Sequence, residues 1–393
     1  MTAARPHRWA WAEIDVGAIA HNVDVLRHTV APASVWAVVK ANGYGHGAVR
    51  AGRAALDAGA DGLCVALVDE GVALRTAGID APILVLSEQP IDQLGDLLAY
   101  RLTPTAYTER YTRALADAAL ARDLVDVDVH LKVDTGMQRV GVTPDGVATL
   151  VAALDGLAPT LRLGAVFTHL AVADEPDHPA TPEQLAVFDR VLDEMVALGA
   201  EPPLVHAANS AAALAFPAAR RSFVRAGIAV YGISPGHGVD ELAAELHPAM
   251  SLRARVALVK PVAAGSHVSY GWRHRFEHDT TVATVPIGYA DGVPRRLGTL
   301  PDRPGADVLI HGRRCPIVGV VTMDQFVVDV GQLDGAPVEV GDEVVLIGSQ
   351  DGEQILATEW ADRLGTIGYE IVCGISERVE RVVVGVGAGD AAR

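Results

Sequence analysis

The sequence predicts an α/β barrel followed by a mainly antiparallel β-domain, and two rhythms carry that expectation. Eight short apolar runs recur through the first part of the chain: Val35–Val39, Leu63–Leu67, Ile83–Leu86, Leu102–Ala106, Val127–Val133, Leu163–His169, Leu204–Ala208 and Phe223–Tyr231. Between most of them lie Ala/Leu/Arg-rich segments of helical period, such as Ala48–Ala58, Arg110–Ala121 and Pro182–Leu198. Buried strands alternating with helices make a parallel sheet. Eight such units predict a (β/α)8 TIM-type barrel rather than an open sheet.

After about residue 245 the rhythm changes. Ser251–Pro261, His267–Tyr270, Thr281–Ile287, Val308–Ile310, Ile317–Val321, Phe326–Val330, Val338–Val340 and Glu343–Ile347 are rich in valine. Gly-Asp, Asp-Gly and proline-containing turns separate several of them, the pattern of antiparallel β structure. One helix is expected at Glu359–Leu364. The domains are read as residues 12–245 and 246–386. The early strand Arg8–Asp15 suits either domain, and residues 1–11 are expected to add a strand to the second. The tail from Gly385 is expected to fray.

Composition bounds the function. The chain has 393 residues, half of them hydrophobic, and a formal net charge of −17. That charge argues against a nucleic-acid groove or an anionic membrane as partner, though it allows a local positive pocket. Cys64, Cys315 and Cys373 are far apart and form no metal-site spacing, which fits a reducing compartment and no metal. No apolar signal-peptide core follows the basic N-terminus, so a cytoplasmic protein is expected.

The basic residues are unevenly chosen. Of 32 lysines and arginines, only Lys40, Lys132 and Lys260 are lysine. Guanidinium stays protonated, whereas a lysine amine can lose its proton and attack a carbonyl. Lys40 closes the first apolar run and opens a glycine-rich loop, Ala41-Asn42-Gly43-Tyr44-Gly45-His46-Gly47. Other polar groups stand at the same register: Lys132 with Asp134 and Arg139, His169, Asn209 with Ser210, and Arg225 with Gly227 and Tyr231. Chemistry in such barrels gathers at the carboxyl ends of the strands. Taken singly, His169 suits a core histidine, Asn209 a helix cap and Arg225 an ion pair. Their shared register favours a site. Asn209-Ser210 opens a helical segment, and Arg225-Ala226-Gly227-Ile228 brings a glycine near the last strand; both suit phosphate. An amine opposite a phosphate cradle fits pyridoxal 5′-phosphate (PLP), and it fits a sugar-phosphate aldolase equally.

The sequence closely resembles alanine racemases, the barrel-fold PLP-dependent amino-acid racemases. The matching stretches run from Ala37–Gly47 through Leu131–Gly141, Thr168-His169, Ala208–Ala211, Val224–Ile228, Val268–Gly271, Gly288–Gly292, Met323–Gln325 and Gly365–Glu370. They cover nearly the whole chain in the family's order. The resemblance implies that Lys40 joins PLP through its amine and is one catalytic base. It makes Tyr270 the second base, reaching the site from the partner subunit of a homodimer. Tyr44, Asn209, Ser210, Gly227, Ile228 and Tyr369 match positions around the phosphate. Arg225 matches the arginine facing the pyridine nitrogen, and His169 the residue bonded to the catalytic tyrosine. Arg139 and the Met323 backbone match groups at the substrate carboxylate, and Tyr289 and Asp324 match the entrance and wall. Lys132 matches a lysine carbamylated in many members, whereas Lys260 matches no site residue.

Racemisation removes a proton from one face of Cα and returns it on the other, so two bases are the direct solution. The resemblance implies interconversion of L- and D-alanine, supplying D-alanine for peptidoglycan. Ala226, Gly368 and Val320 depart from the usual family residues, which bears on substrate breadth. The alternatives are a broad-specificity or serine/lysine racemase on the same fold, and a non-catalytic PLP-binding protein. The latter lacks a β-domain and so lacks a counterpart of Tyr270.

Overall fold

The computed structural model describes residues 8–300, 302–331 and 336–385. The chain divides into two compact units. One runs Ile19–His247, and the other joins the N-terminal residues through Ala18 to the chain from Pro248 onward. The expected frayed tail lies, past Gly385, outside the described residues.

Strand β1 (Ala10–Asp15) belongs to the second unit. The first unit is built on eight parallel strands: β2 (Ser34–Val38), β3 (Gly62–Val65), β4 (Ile83–Val85), β5 (Thr105–Ala106), β6 (Val127–Lys132), β7 (Leu161–Phe167), β8 (Val205–His206) and β9 (Phe223–Ala226). They hydrogen-bond in two arcs, β4-β3-β2-β9 and β5-β6-β7-β8. Two seams close the ring. Thr103 pairs with Leu84 ahead of β5, and Thr105 Oγ1 donates to the Val85 carbonyl at 2.6 Å. At the other seam Ser222 N donates to Val205 O at 2.9 Å and Arg225 N to Ala208 O at 2.9 Å. The barrel expected from the apolar rhythm is therefore present. All of β3 and β4 is buried, because ring and outer helices cover both faces of the sheet.

The second unit is a ten-stranded sheet in the order β11-β14-β17-β16-β15-β18-β10-β1-β20, with β19 paired to β18. Here β10 is Met250–Arg255, β11 Leu258–Val262, β14 Thr280–Val285, β15 Asp307–Ile310, β16 Arg313–Val318, β17 Phe326–Asp329, β18 Glu343–Gln350, β19 Glu353–Ile355 and β20 Glu380–Val384. A small hairpin, β12 (His267–Val268) with β13 (His274–Arg275), stands apart. Pairing is antiparallel except between β1 and β20. Alternate residues Met250, Leu252 and Ala254 of β10 are buried, the period of a sheet packed on one face.

Two expected strands differ. Ser251–Pro261 is two strands, because the chain changes partner: Val256 N bonds Asp342 O, and Ala257 N bonds Thr284 O. Val338–Val340 is not a strand. The Asp342 side chain takes the Glu339 N–H at 2.8 Å and turns the backbone instead. No described helix is long and apolar enough to cross a membrane.

One buried carboxylate ties the second unit together. Asp291 takes two bonds from Arg8, at 2.6 and 2.8 Å, and one from Gly288 N at 2.9 Å. Arg378 lies 3.3 Å away and also grips Asp324 at 2.7 Å. Burial alone raises the Asp291 pKa, but the Arg8 bond, the Gly288 N–H and the two cationic charges outweigh it and hold it below the ordinary value. Its contribution is present above the ordinary carboxylate pKa and is lost as pH falls through the lowered one. Asp291→Ala leaves the Arg8 guanidinium without its carboxylate and Arg378 with Asp324 alone, and is expected to cost about 3 kcal/mol in urea unfolding. A loss under about 1 kcal/mol would show that the hub is dispensable.

Candidate functional site

Lys40 follows β2 after the single residue Val39 and starts a turn of unusual hand. Ala41, Asn42, Gly43, Tyr44 and Gly45 all have positive φ, from 50° to 80°. The turn is pinned at both ends. Glu70 accepts the Ala41 N–H at 2.6 Å, and Asn42 Oδ1 accepts the Ala48 N–H at 3.0 Å. Glu70 also takes Ala66 N and Leu67 N, so one carboxylate joins the loops after β2 and β3.

The turn brings Tyr44 against the loop after β9. A Cβ on Gly227 would lie 2.5 Å from the Tyr44 oxygen and 3.8 Å from Ser210 Oγ, so only glycine fits. Ser210 Oγ accepts from Gly227 N at 2.8 Å and from Ala229 N at 3.3 Å. Asn209 caps the helix Ser210–Ala215 through Ala212 N and donates to Leu170 O. Tyr231 braces the arrangement from behind: its hydroxyl bonds Val38 O at 3.0 Å and its ring packs on Tyr44. Two hydroxyls, backbone N–H groups and Ile228 thus converge at one end of the barrel. A tight, donor-rich cradle of this kind fits a phosphate.

Below it sits Arg225, buried at 3 % exposure. Its Nη1 donates to His206 Nδ1 at 2.6 Å. Its Nη2 donates to Thr168 O at 2.8 Å and Ala207 O at 3.0 Å, and lies 3.3 Å from His169 Nδ1. The Phe167 ring covers the guanidinium at 5.1 Å. Nε is left without a bond among the described residues. Lys132 is buried on β6, and its ammonium also lies over Phe167, at 5.4 Å. Arg139 is exposed on the loop after it. There Asp134 takes the N–H groups of Gly136 and Gln138, and the loop returns to pair Val142 with Val133.

Tyr270, Tyr289, Met323, Asp324 and Tyr369 lie on the second unit. Tyr270 sits between β12 and β13 and is 75 % exposed, next to Trp272 at 71 %. A cavity of about 550 Å3 opens beside it, lined by Ser269, Trp272, Val320, Thr322 and Phe326 among others. Tyr289 and Met323 are held together by backbone bonds, Tyr289 N to Thr322 O and Ala290 N to Met323 O. Tyr369 is in the short helix Gly368–Cys373.

Residues 14–235 match the model for the alanine racemase N-terminal domain, and residues 249–383 that for the alanine racemase C-terminal domain. The chain belongs to the alanine racemase family. The alanine racemase of Symbiobacterium thermophilum is 48 % identical over 382 residues, covering 95 % of this chain and 97 % of that protein. The Thermobifida fusca enzyme is 44 % identical and covers 96 % and 98 %. A crystal structure of alanine racemase from D-cycloserine-producing Streptomyces lavendulae superposes with a TM-score of 0.90 at 39 % identity, over 98 % of this chain and 99 % of that one. The Bacillus anthracis enzyme, solved with bound L-Ala-P, superposes at 0.89 and 38 % identity over 98 % and 97 %.

In this family member the barrel end is strongly cationic despite the acidic surface. Burial, then the charges of Arg225 and Arg139, pull the Lys132 pKa down to about 7. His169 and His206 are driven well below the ordinary value by burial and then by Arg225. His130, behind His206, is driven to about 3 by the same causes. His130, His206, Glu70 and Asp291 are the residues that sequence reasoning missed. His130 had one available signal, its place two residues before Lys132 on the same strand face.

Each of the three histidines is neutral in the fold but takes a proton in the unfolded chain below about pH 6.5. The unfolded chain then binds more protons, so stability falls as pH falls below that point. The slope reaches at most about 1.4 kcal/mol per pH unit for each histidine. For His130 the loss continues down to about pH 3. Urea unfolding followed by Trp36 fluorescence, the one tryptophan between residues 19 and 247, measures it. A midpoint that holds constant from about pH 7 to pH 5 would contradict the neutral assignment.

Proposed function

We propose that the chain interconverts L- and D-alanine with pyridoxal 5′-phosphate bound at the barrel end, and that a second copy of the chain completes each active site. Family membership supports the reaction. The observation that carries the cofactor is the cradle of Tyr44, Ser210 and Gly227 beside the Lys40 turn, where a single added Cβ would strike the tyrosine oxygen. Asn209 and Ile228 would add to the phosphate contacts, and Tyr369 has that role by its family match alone. When bound, PLP supplies an aldehyde for the substrate amine and a ring that takes up the electrons left at Cα.

The rest is done by the chain. Lys40 would hold the cofactor's aldehyde end and would carry the proton on the D face. Tyr270, supplied by the second copy, carries it on the L face. Tyrosine is a weak acid, so it needs donors and positive charge to act as a base. His169 meets that need. Its Nδ1 faces a donor-only guanidinium, so its proton is on Nε2, free to bond the phenolate. Arg139 and the Met323 N–H hold the substrate carboxylate. Arg225 would offer its Nε–H to the ring nitrogen and so hold that nitrogen unprotonated, a state that restrains transamination. Tyr289 and Asp324 line the entrance. Lys132, with an amine part neutral near pH 7, would add CO2 at its nitrogen and release a proton to solvent, leaving a carbamate that Arg139 compensates.

The exposed Tyr270 and Trp272 support a shared site, and D-alanine for peptidoglycan is the expected use of the product. Racemisation of L-alanine, L-serine and L-lysine with and without added PLP tests the reading; PLP-independent turnover, or preference for serine or lysine, would displace it. Lys40→Ala is expected to abolish the absorbance of lysine-bound PLP. Tyr270→Phe is expected to slow L-alanine α-proton exchange at least about a hundredfold and D-alanine exchange far less. Mixing these two inactive variants is expected to restore about one quarter of the activity through mixed dimers, and no recovery would exclude a shared site. With 13C-bicarbonate a carbamate resonance is expected, absent in Lys132→Arg.

A further inference from the structure

The interior of the barrel holds a directed chain of hydrogen bonds that the reaction above does not use. His206 on β8 is clamped between two rings, Phe167 at 4.5 Å and 9°, and Phe223 at 4.1 Å and 24°. Its plane is therefore fixed by packing. Two freedoms remain, a ring flip and the choice of which nitrogen carries the proton.

Its neighbours remove both. Arg225 Nη1 lies 2.6 Å from His206 Nδ1, and a guanidinium only donates. His206 Nδ1 must then accept, so the ring proton is on Nε2. That nitrogen lies 3.2 Å from His130 Nδ1 on β6. His206 Nε2–H donates there, and His130 must accept at Nδ1 and carry its own proton on Nε2. The opposite direction would put two N–H groups face to face at 2.6 Å. Both rings are buried, at 0 % for His206 and 4 % for His130, so water does not offer a substitute partner.

We propose that His130 is a positioning residue: by accepting from His206 it fixes the tautomer that lets His206 hold Arg225, and so aims the free Arg225 Nε–H at the cofactor ring. The inference rests on the reading of Arg225 given above. Without an acceptor at the position of His130 Nδ1, the His206 Nε2–H is buried and unsatisfied. The ring then favours the other tautomer, repels Nη1, and releases one side of the guanidinium. His130 touches neither substrate nor cofactor and acts through two other residues.

The experiment compares the wild-type holoenzyme with His130→Leu and His130→Asn. Leucine removes the acceptor while filling the space; asparagine presents an oxygen close to the position of Nδ1. Histidine-selective 15N NMR is expected to find His206 protonated on Nε2 in the wild type, and mixed or reversed in His130→Leu. The absorption band of bound PLP is expected to shift in the same variant, and its kcat to fall about tenfold with KM little changed, the scale of one bond to a charged group. His130→Asn is expected to recover most of both. A His206 proton on Nδ1 in the wild type would overturn the proposal, and that measurement needs no variant to fold. So would an unshifted tautomer and band in a folded His130→Leu. Wild-type protein that binds no PLP would overturn the proposed function, while the NMR result alone would decide the tautomer.

Discussion

A guanidinium buried without a carboxylate organises the barrel interior. Among the described residues Arg225 has no acidic partner. It is held by two carbonyls, two imidazoles and the face of Phe167. An unpaired buried charge costs several kcal/mol, and burial indeed lowers the Arg225 pKa to about 10. The charge survives because guanidinium is the cation that protons leave last. Its neighbours yield instead. His169 and His206 stay neutral, and Lys132 falls to about 7. Under the proposed function, such a donor would leave the cofactor's ring nitrogen unprotonated, as a carboxylic acid there would not.

The rim above is laced from strand to strand by side chains on backbone. Glu70 joins the loops after β2 and β3, and Gln89 those after β3 and β4, taking Val68 N and giving to Ala66 O. Glu88 crosses to Tyr107 N and Thr108 N beyond β5. Gln184 bonds Thr135, Ala171 and His169 O, and Asn209 reaches Leu170 O. Loops tied in this way lose little freedom when a ligand binds, which keeps widely separated site residues in register.

The barrel was legible because burial on both faces leaves continuous apolar runs, and the polar residues ending them stand out against that background. Lys40, His169, Asn209 and Arg225 were visible for this reason. His130 and His206 were not, because a histidine inside a strand reads as core until its partner on another strand is known. Asp291 was hidden likewise: its ligands Arg8 and Arg378 sit near opposite ends of the sequence. Sheet partners in the second unit are equally non-local. The break at Val256–Ala257 depends on Asp342 and Thr284, which no local pattern announces. The side-chain grip of Asp342 on Glu339 likewise overrode a valine-rich run that local propensity assigns to a strand.

The turn after Lys40 shows what such local conflict achieves. Ala41, Asn42 and Tyr44 are left-handed, at roughly 1–2 kcal/mol each for residues with a Cβ. A lysine followed by an ordinary right-handed turn would be cheaper and looser. Here Glu70, Asn42 and the glycines at 43, 45 and 47 over-determine the geometry, and Tyr231 packs beneath it. Strain held this way is characteristic of sites rather than of scaffolds. It also lets one short segment present both the Lys40 amine and the Tyr44 hydroxyl. The left-handed turn is what lets Lys40 leave the strand end while Tyr44, four residues later, folds back onto Gly227.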